Sequence, residues 1–306
     1  MNSRVLEGIK KSAAVPSMPQ VVLRFLEIMQ DPEFDYRDVV KALSTDPGTV
    51  SEVLRLANSA LFGVRNKVVS VKQALTLLGP KRVRSLLLGR YLVDTMSKKR
   101  VAGLDMNYFW RRSLASSVVA SHFAGRLVPE QRDEAFIAAL LADIGVPILA
   151  EALPKAYRPV VAQYKPNGKA ITADDERKAV EVTHGEVSAM VLAHWTLPDN
   201  IAQAVNLHQS EHPGEGAAGS IARLLNSSDR IARLLCETAE QPQGATICQE
   251  ATEFCGLGLD ILLKLLPTIE SDIEELADAL RIDVVASEAY TVVAKNIQEA
   301  LHAPAV

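Results

Sequence analysis

The chain has 306 residues, of which 48% are hydrophobic, 23% charged and only 5% aromatic, so any core must be packed mainly by aliphatic side chains. A formal net charge of −4 argues against a surface built to coat nucleic acid. No run approaches the roughly 18–20 consecutive apolar residues of a membrane span, and the polar first twelve residues lack a signal-peptide core, so the expected location is the cytoplasm.

Taken in chain order, nearly every patterned segment has the helical period. Residues 19–29 carry Val21, Val22, Phe25, Leu26 and Met29 as one apolar stripe. Asp35 is placed to cap a helix bearing Val39, Val40 and Leu43. Asp46-Pro47 reads as an N-cap followed by proline at the first helical position, opening a helix through Val50, Val53, Leu54 and Ala57. Ser70 caps a short helix with Val71, Ala74, Leu75 and Leu78, and Gly79-Pro80 ends it and starts the next. Residues 105–127 form a long helix through Trp110, Leu114, Val118 and His122. Residues 134–144 form another, ended by Gly145, and Pro154, Pro159, Pro166 and Gly168 mark a looser connection. Residues 183–195 are strongly helical, Asp199 stands at the start of the following helix, and the glycine-rich stretch 213–219 is the best linker candidate. Helical patterns then cover 221–235, 247–254, 261–266, 269–280 and 284–301. Residues 67–71 are the nearest thing to a strand, and they are short. The fold class is therefore all-α. The three cysteines, Cys236, Cys248 and Cys255, have no CxxC spacing and read as buried thiols rather than a disulfide frame or a zinc knuckle.

Several stretches together resemble the HDOD family, the HD-related output domains of bacterial signalling. They are Pro16-Ser17-Met18-Pro19, Ser44-Thr45-Asp46-Pro47, and Leu54-Arg55-Leu56-Ala57-Asn58-Ser59-Ala60-Leu61-Phe62-Gly63. Further on come Ser70-Val71 with Gln73-Ala74, Phe109-Trp110-Arg111-Arg112-Ser113, Ala142-Asp143-Ile144-Gly145, and His184-Gly185-Glu186-Val187 through Trp195-Thr196-Leu197-Pro198. The resemblance covers about residues 13–212. It implies a two-lobed helical domain: residues 1–104 as an N-terminal helical bundle, 105–212 as a lobe related to HD phosphohydrolases, and 213–306 as a helical extension.

HD hydrolases bind metal through a histidine, an adjacent His-Asp pair and a later aspartate, because phosphoester hydrolysis at neutral pH wants a metal to activate water and absorb charge. The resemblance places Ser113 at the first histidine position and Ala142 at the histidine of the pair, keeps Asp143, and puts the later aspartate at Asp229. His184 and His208 match positions that HD-GYP phosphodiesterases use for additional metals, Gln209 replaces the second histidine of a pair, and Val146 stands where a lysine is usual. The expected cofactor is therefore none, or at most a weakly held divalent metal, with Asp143, His184, His208 and Asp229 as vestigial candidates. Each also has an ordinary reading as a buried, hydrogen-bonded polar group or a helix cap. His122, His194, His212 and His302 show no ligand spacing.

The basic residues Lys81, Arg82, Arg84 and Arg90, then Lys98-Lys99-Arg100, form one concentration of charge, ordinarily a solvated face. Phe62, Arg65 and Lys67 with Lys81, Arg82 and Arg84 give a candidate partner surface of apolar anchor beside positive charge. Residues 39–54 also fit a helix-turn-helix, but the second helix offers Arg55 as its only basic side chain, a weak reader of a major groove. No phosphate-binding or nucleotide fingerprint is present. The expected function is a non-catalytic regulatory or scaffolding protein that meets signalling partners in trans, in two-component or cyclic-di-GMP circuits. The rivals are a residual metal-dependent phosphohydrolase or cyclic-nucleotide binder, and a DNA-binding regulator.

Overall fold

The computed structural model describes residues 2–17, 20–29, 31, 33–43, 47–59, 67–97, 99–237, 243–282 and 287–302. Among them every regular element is helical, as the sequence periodicity predicts.

The first helix, α1 (Asn2–Lys10), is one that the polar N-terminal sequence does not announce. It lies on the second lobe, against helices α9 and α12 described below. The N-terminal lobe is built from α2 (Gln20–Ile28), α3 (Tyr36–Leu43), α4 (Pro47–Ala57), α5 (Val71–Leu78) and α6 (Pro80–Ser97). Phe25, Val39, Leu43, Ala57 and Leu75 are fully buried at its centre. Ser70 caps α5 by accepting from the Gln73 N–H at 3.1 Å. Asn58 bonds the carbonyl and the N–H of Val68 at 2.9 and 2.7 Å, joining the end of α4 to the start of the next described segment.

The second lobe begins with α7 (Met106–Leu127), whose N-cap Asp105 accepts from the N–H groups of Asn107 and Tyr108. This helix is buried nearly all round, and its run of small residues (Ala115, Ser116, Ser117, Ala120) lets neighbours approach closely. A 3-10 turn, Pro129–Gln131, leads into α8 (Arg132–Leu141), followed by α9 (Gly145–Ala152) and α10 (Pro154–Val161). Two expectations are corrected here. Gly145 opens α9 rather than closing α8. The first part of the proline-rich connection is the helix α10, with Pro154 at its first position, where a missing N–H costs nothing, while Pro166 and Gly168 lie in the looser chain that was expected. Then come α11 (Ala173–Val180), α12 (His184–His194) and α13 (Asp199–Leu207). Residues Pro129–Ala152 are apolar enough for a membrane span by composition, with mean hydropathy 1.9. But 89% of that window is buried inside the protein, as in a core helix.

The glycine-rich stretch 213–219 is a correction to the linker expectation, since α14 (Gly216–Leu235) begins inside it; α15 (Gly244–Cys255), α16 (Leu259–Leu280) and α17 (Ser287–His302) follow. Helix α14 packs directly on α7, α8 and α13, so the extension contributes to the second lobe's core. Ser116 and Ser228 hydroxyls meet at 3.1 Å across the α7–α14 seam. The two segments expected at 261–266 and 269–280 are one helix, because Leu262, Leu265, Leu266 and Ile269 bury their side chains on both sides of Pro267. Its C-terminal carbonyls accept from Arg55 (Ala279) and, at 3.4 Å, from Arg90 (Leu280), two cations placed at the negative end of the helix dipole. Arg90 is therefore turned inward and paired with Asp94, not part of an outer basic face. His122 and Asp272 join α7 to α16 at 2.7 Å.

Candidate functional site

Three side chains from distant parts of the chain converge in the second lobe. Asp143 sits in the three-residue break between α8 and α9, His184 opens α12, and His208 follows α13. The two imidazole Nε2 atoms are 3.2 Å apart, and each lies 3.3–3.4 Å from Asp143 Oδ1. All three residues are buried.

Local sequence explains the convergence. Thr183 and Glu186 form a reciprocal capping box at the start of α12, which fixes where the helix and His184 begin. Gly145 lets α9 approach that helix start: a Cβ there would stand 2.1 Å from the His184 carbonyl oxygen. The Gly145 N–H donates to Ser188 Oγ at 2.8 Å and locks the approach.

Each imidazole is oriented from behind. His208 Nδ1 lies 2.6 Å from the Val205 carbonyl oxygen, which can only accept, so Nδ1 carries a proton. His184 Nδ1 lies 2.9 Å from Glu176 Oε2, and the same oxygen accepts the His184 backbone N–H at 3.0 Å. Glu176 is fully buried on α11, and Tyr157 donates to its other oxygen. Both Nε2 lone pairs and Asp143 Oδ1 therefore face one another, three acceptors with no donor between them, an arrangement that demands a positive charge. In the protein alone a proton supplies it. Burial works against charge on His184, but Glu176 and Asp143 outweigh burial and push its pKa up to about 10. Asp143 is likewise held well below the usual carboxylate range, burial being overcome by the two histidines and by Arg112.

The other side of Asp143 is different. Its Oδ2 accepts from Tyr164 at 2.8 Å and lies 3.9 Å from the Arg112 guanidinium. Arg112 stacks on the Tyr164 ring at 4.6 Å and grips Asp229 with two bonds, of 2.8 and 2.6 Å. Asp229 is thus brought near Asp143, but it faces an arginine rather than the histidines. At the two positions where the HD resemblance requires imidazole, Ser113 is buried with an unpartnered hydroxyl and Ala142 is buried beside Asp143. Val146 is fully buried and apolar, and Gln209 lines the cavity below with its Nε2 donating to the Ile171 carbonyl at 3.1 Å.

A cavity of about 380 Å³ opens on Asp143 and His184, walled by Arg112 and Asp229 and rimmed by Lys169 and Arg233. Its cations are already engaged: Lys169 with Asp175 at 3.5 Å, Arg230 with Glu250 at 2.5 Å, and Arg233 with Glu237 at 3.1 Å.

The candidate partner surface is not assembled in the same way. Phe62 and Arg65 lie outside the described residues, as do the side chains of Lys81 and Arg82 on α6. Lys67 is exposed, while Arg84 is half-buried near Glu134 and so is a poor surface charge.

Sequence reading missed Arg112, Tyr164, Glu176 and Tyr157. Arg112 enters the sequence analysis only as part of the Phe109–Ser113 motif, Glu176 not at all, and nothing in their spacing points to the histidines.

Comparison with known proteins gives a consistent family and fold. A family model described as HDOD domain matches residues 15–211. An uncharacterised protein of Treponema pallidum (strain Nichols) is 23% identical over 206 residues, 64% of this chain but only 38% of that protein's length. A candidate phosphohydrolase from Shewanella amazonensis SB2B superimposes with a TM-score of 0.71 at 20% identity, covering 90% of this chain and 97% of its own. A candidate signal transduction protein from Marinobacter aquaeolei VT8 gives 0.56 at 18% identity, with 97% and 65% covered. At those identities the likeness is one of fold.

Proposed function

The chain belongs to the HDOD domain family, and from that premise we propose that it is a non-catalytic signalling module acting through contacts with other proteins. The observation that carries the reading is the Arg112–Asp229 pair. An HD hydrolase uses the later aspartate to hold metal; here that carboxylate is doubly bonded to a guanidinium that also lies against Asp143. A fixed cation occupies the hydrolytic side of the centre, and the imidazoles that would compete with it are Ser113 and Ala142. The cations of the cavity wall are matched to carboxylates, which leaves weak recognition for a phosphate. Partners in two-component or cyclic-di-GMP circuits fit the family's role in bacterial signalling.

The test is hydrolysis by the purified chain of bis(p-nitrophenyl) phosphate and of cyclic di-GMP, with Mg²⁺ or Mn²⁺ supplied. Wild type and Asp143→Ala should give the same background rate. Turnover that disappears in Asp143→Ala while the fold persists would overturn the reading.

A second reading has its own observation, the three converging acceptors. Two imidazoles and one carboxylate suit a divalent transition metal. Both Nδ1 atoms are held by acceptors of the kind that orient metal-bound histidines. Asp143, His184 and His208 would hold one ion, which would supply positive charge and Lewis acidity at the cavity floor. Titration with Co²⁺ followed by its d–d absorption tests this: wild type should develop a signal that His208→Ala lacks. No signal in the wild type would dismiss it.

A further inference from the structure

We infer that Glu176, braced by Tyr157, is a positioning residue that commits His184 Nε2 to the cluster and strengthens it as a cation ligand through the carboxylate's negative charge. The inference rests on the metal-binding reading of Asp143, His184 and His208.

Glu176 is fully buried on α11, in a segment where the neighbouring Asp174 and Arg177 are exposed. A buried carboxylate is expensive unless donors surround it. Three do: the Tyr157 hydroxyl on one oxygen, and the backbone N–H and the Nδ1–H of His184 on the other. Thr183 and Glu186 form the capping box of α12, and Glu176 adds the acceptor for the His184 N–H. Beyond that backbone bond, Glu176 supplies an anionic acceptor for the Nδ1 proton. With that proton held, turning the ring or changing its tautomer costs a charge-assisted bond in a buried place, and the Nε2 lone pair stays on the side of Asp143 and His208. His208 is held more weakly from behind, by the neutral carbonyl of Val205. The two imidazoles are therefore not equivalent ligands: His184 is the charge-reinforced one.

Glu176→Gln separates charge from shape. A glutamine can keep its amide oxygen on the two His184 donors and turn its NH2 toward the Tyr157 hydroxyl, which can then accept. The hydrogen bonds survive and only the charge is lost. A merely structural Glu176 predicts an unchanged Co²⁺ affinity. The inference predicts a loss of about 10- to 100-fold in a variant that still unfolds in one cooperative transition.

The second measurement needs no variant. In ¹⁵N-labelled wild type loaded with Zn²⁺, the His184 Nδ1 should carry a slowly exchanging proton while Nε2 shows the shift of a metal-bound nitrogen. An unprotonated Nδ1, or a wild-type Co²⁺ affinity in Glu176→Gln, overturns the inference. If wild type takes up neither ion, it is the metal-binding reading that has failed. The claim about Glu176 is then decided in the metal-free protein: Glu176→Ala should change the His184 ¹⁵N signals, and unchanged signals overturn it.

Discussion

Asp143 divides the centre into two halves that have gone opposite ways. Toward α12 and α13 stand His184 and His208, each held from behind, by Glu176 with Tyr157 and by the Val205 carbonyl. Toward α7 and α14, the expected imidazole at position 113 is a serine with an idle hydroxyl, and the remaining carboxylate is closed by Arg112. The same carboxylate thus meets two unlike environments: on one oxygen, imidazoles oriented from behind by buried acceptors, and on the other, a guanidinium already paired with a second carboxylate.

The comparison breaks most completely if the two halves are pushed apart. Gly145→Ala places a Cβ 2.1 Å from the His184 carbonyl oxygen, where backbone cannot yield. Separating α9 from α12 should cost about 3 kcal/mol or more by urea unfolding, with loss of any metal signal.

Arg112→Met tests the closed half. Asp229 and Asp143 would both lose their cation in a largely buried place, and we expect a loss of about 2–3 kcal/mol, the side-chain exposure of Asp229 (27%) softening the full penalty. Adding Asp229→Leu should restore most of it, since an apolar pair leaves no charge unpartnered. If the double variant is no better than the single one, Arg112 serves packing on Tyr164 rather than charge.

The open half should respond to pH. In the fold His184 keeps its proton up to about pH 10, whereas the unfolded chain loses it near the ordinary value of 6.5. The stabilisation from Glu176 and Asp143 is thus complete below 6.5 and is lost as pH rises toward 10. The melting temperature of the metal-free protein should fall by several degrees between pH 7 and 10, and His184→Gln should flatten that slope. A slope unchanged by His184→Gln would remove the proton from the account.

The smallest effect belongs to Ser113→Ala. Its hydroxyl is buried without a partner, so removing it should leave stability unchanged or raise it by up to about 1 kcal/mol. A clear destabilisation would mean that the hydroxyl binds something in solution.

Much of the fold was legible because helices announce themselves locally. The apolar period, Ser70 and Thr183 as caps, and Asp105 before α7 were all readable. The misreadings share one cause. Pro267 and Pro159 read as breaks because local propensity opposes an interior proline, yet buried side chains on both sides hold the helices together. α1 was missed because a short polar helix has little period of its own, and it forms against α12. At the site, Asp143, His184 and His208 were named only through family resemblance, and their distance in sequence hides their meeting. The roles of Arg112 and Glu176 were not readable because a charged residue on a helix normally faces water. The signal that they do not is their burial, a property of the tertiary fold alone.

The two-halves account comes down to a count of metal ions. The chain would be loaded with excess Mn²⁺, freed of unbound ion by gel filtration, and analysed by plasma mass spectrometry alongside Asp229→Asn. The account predicts no more than one ion per chain, with the same count in Asp229→Asn, because Asp229 belongs to Arg112. Two ions per chain, or a count that falls when Asp229 is changed, would contradict it.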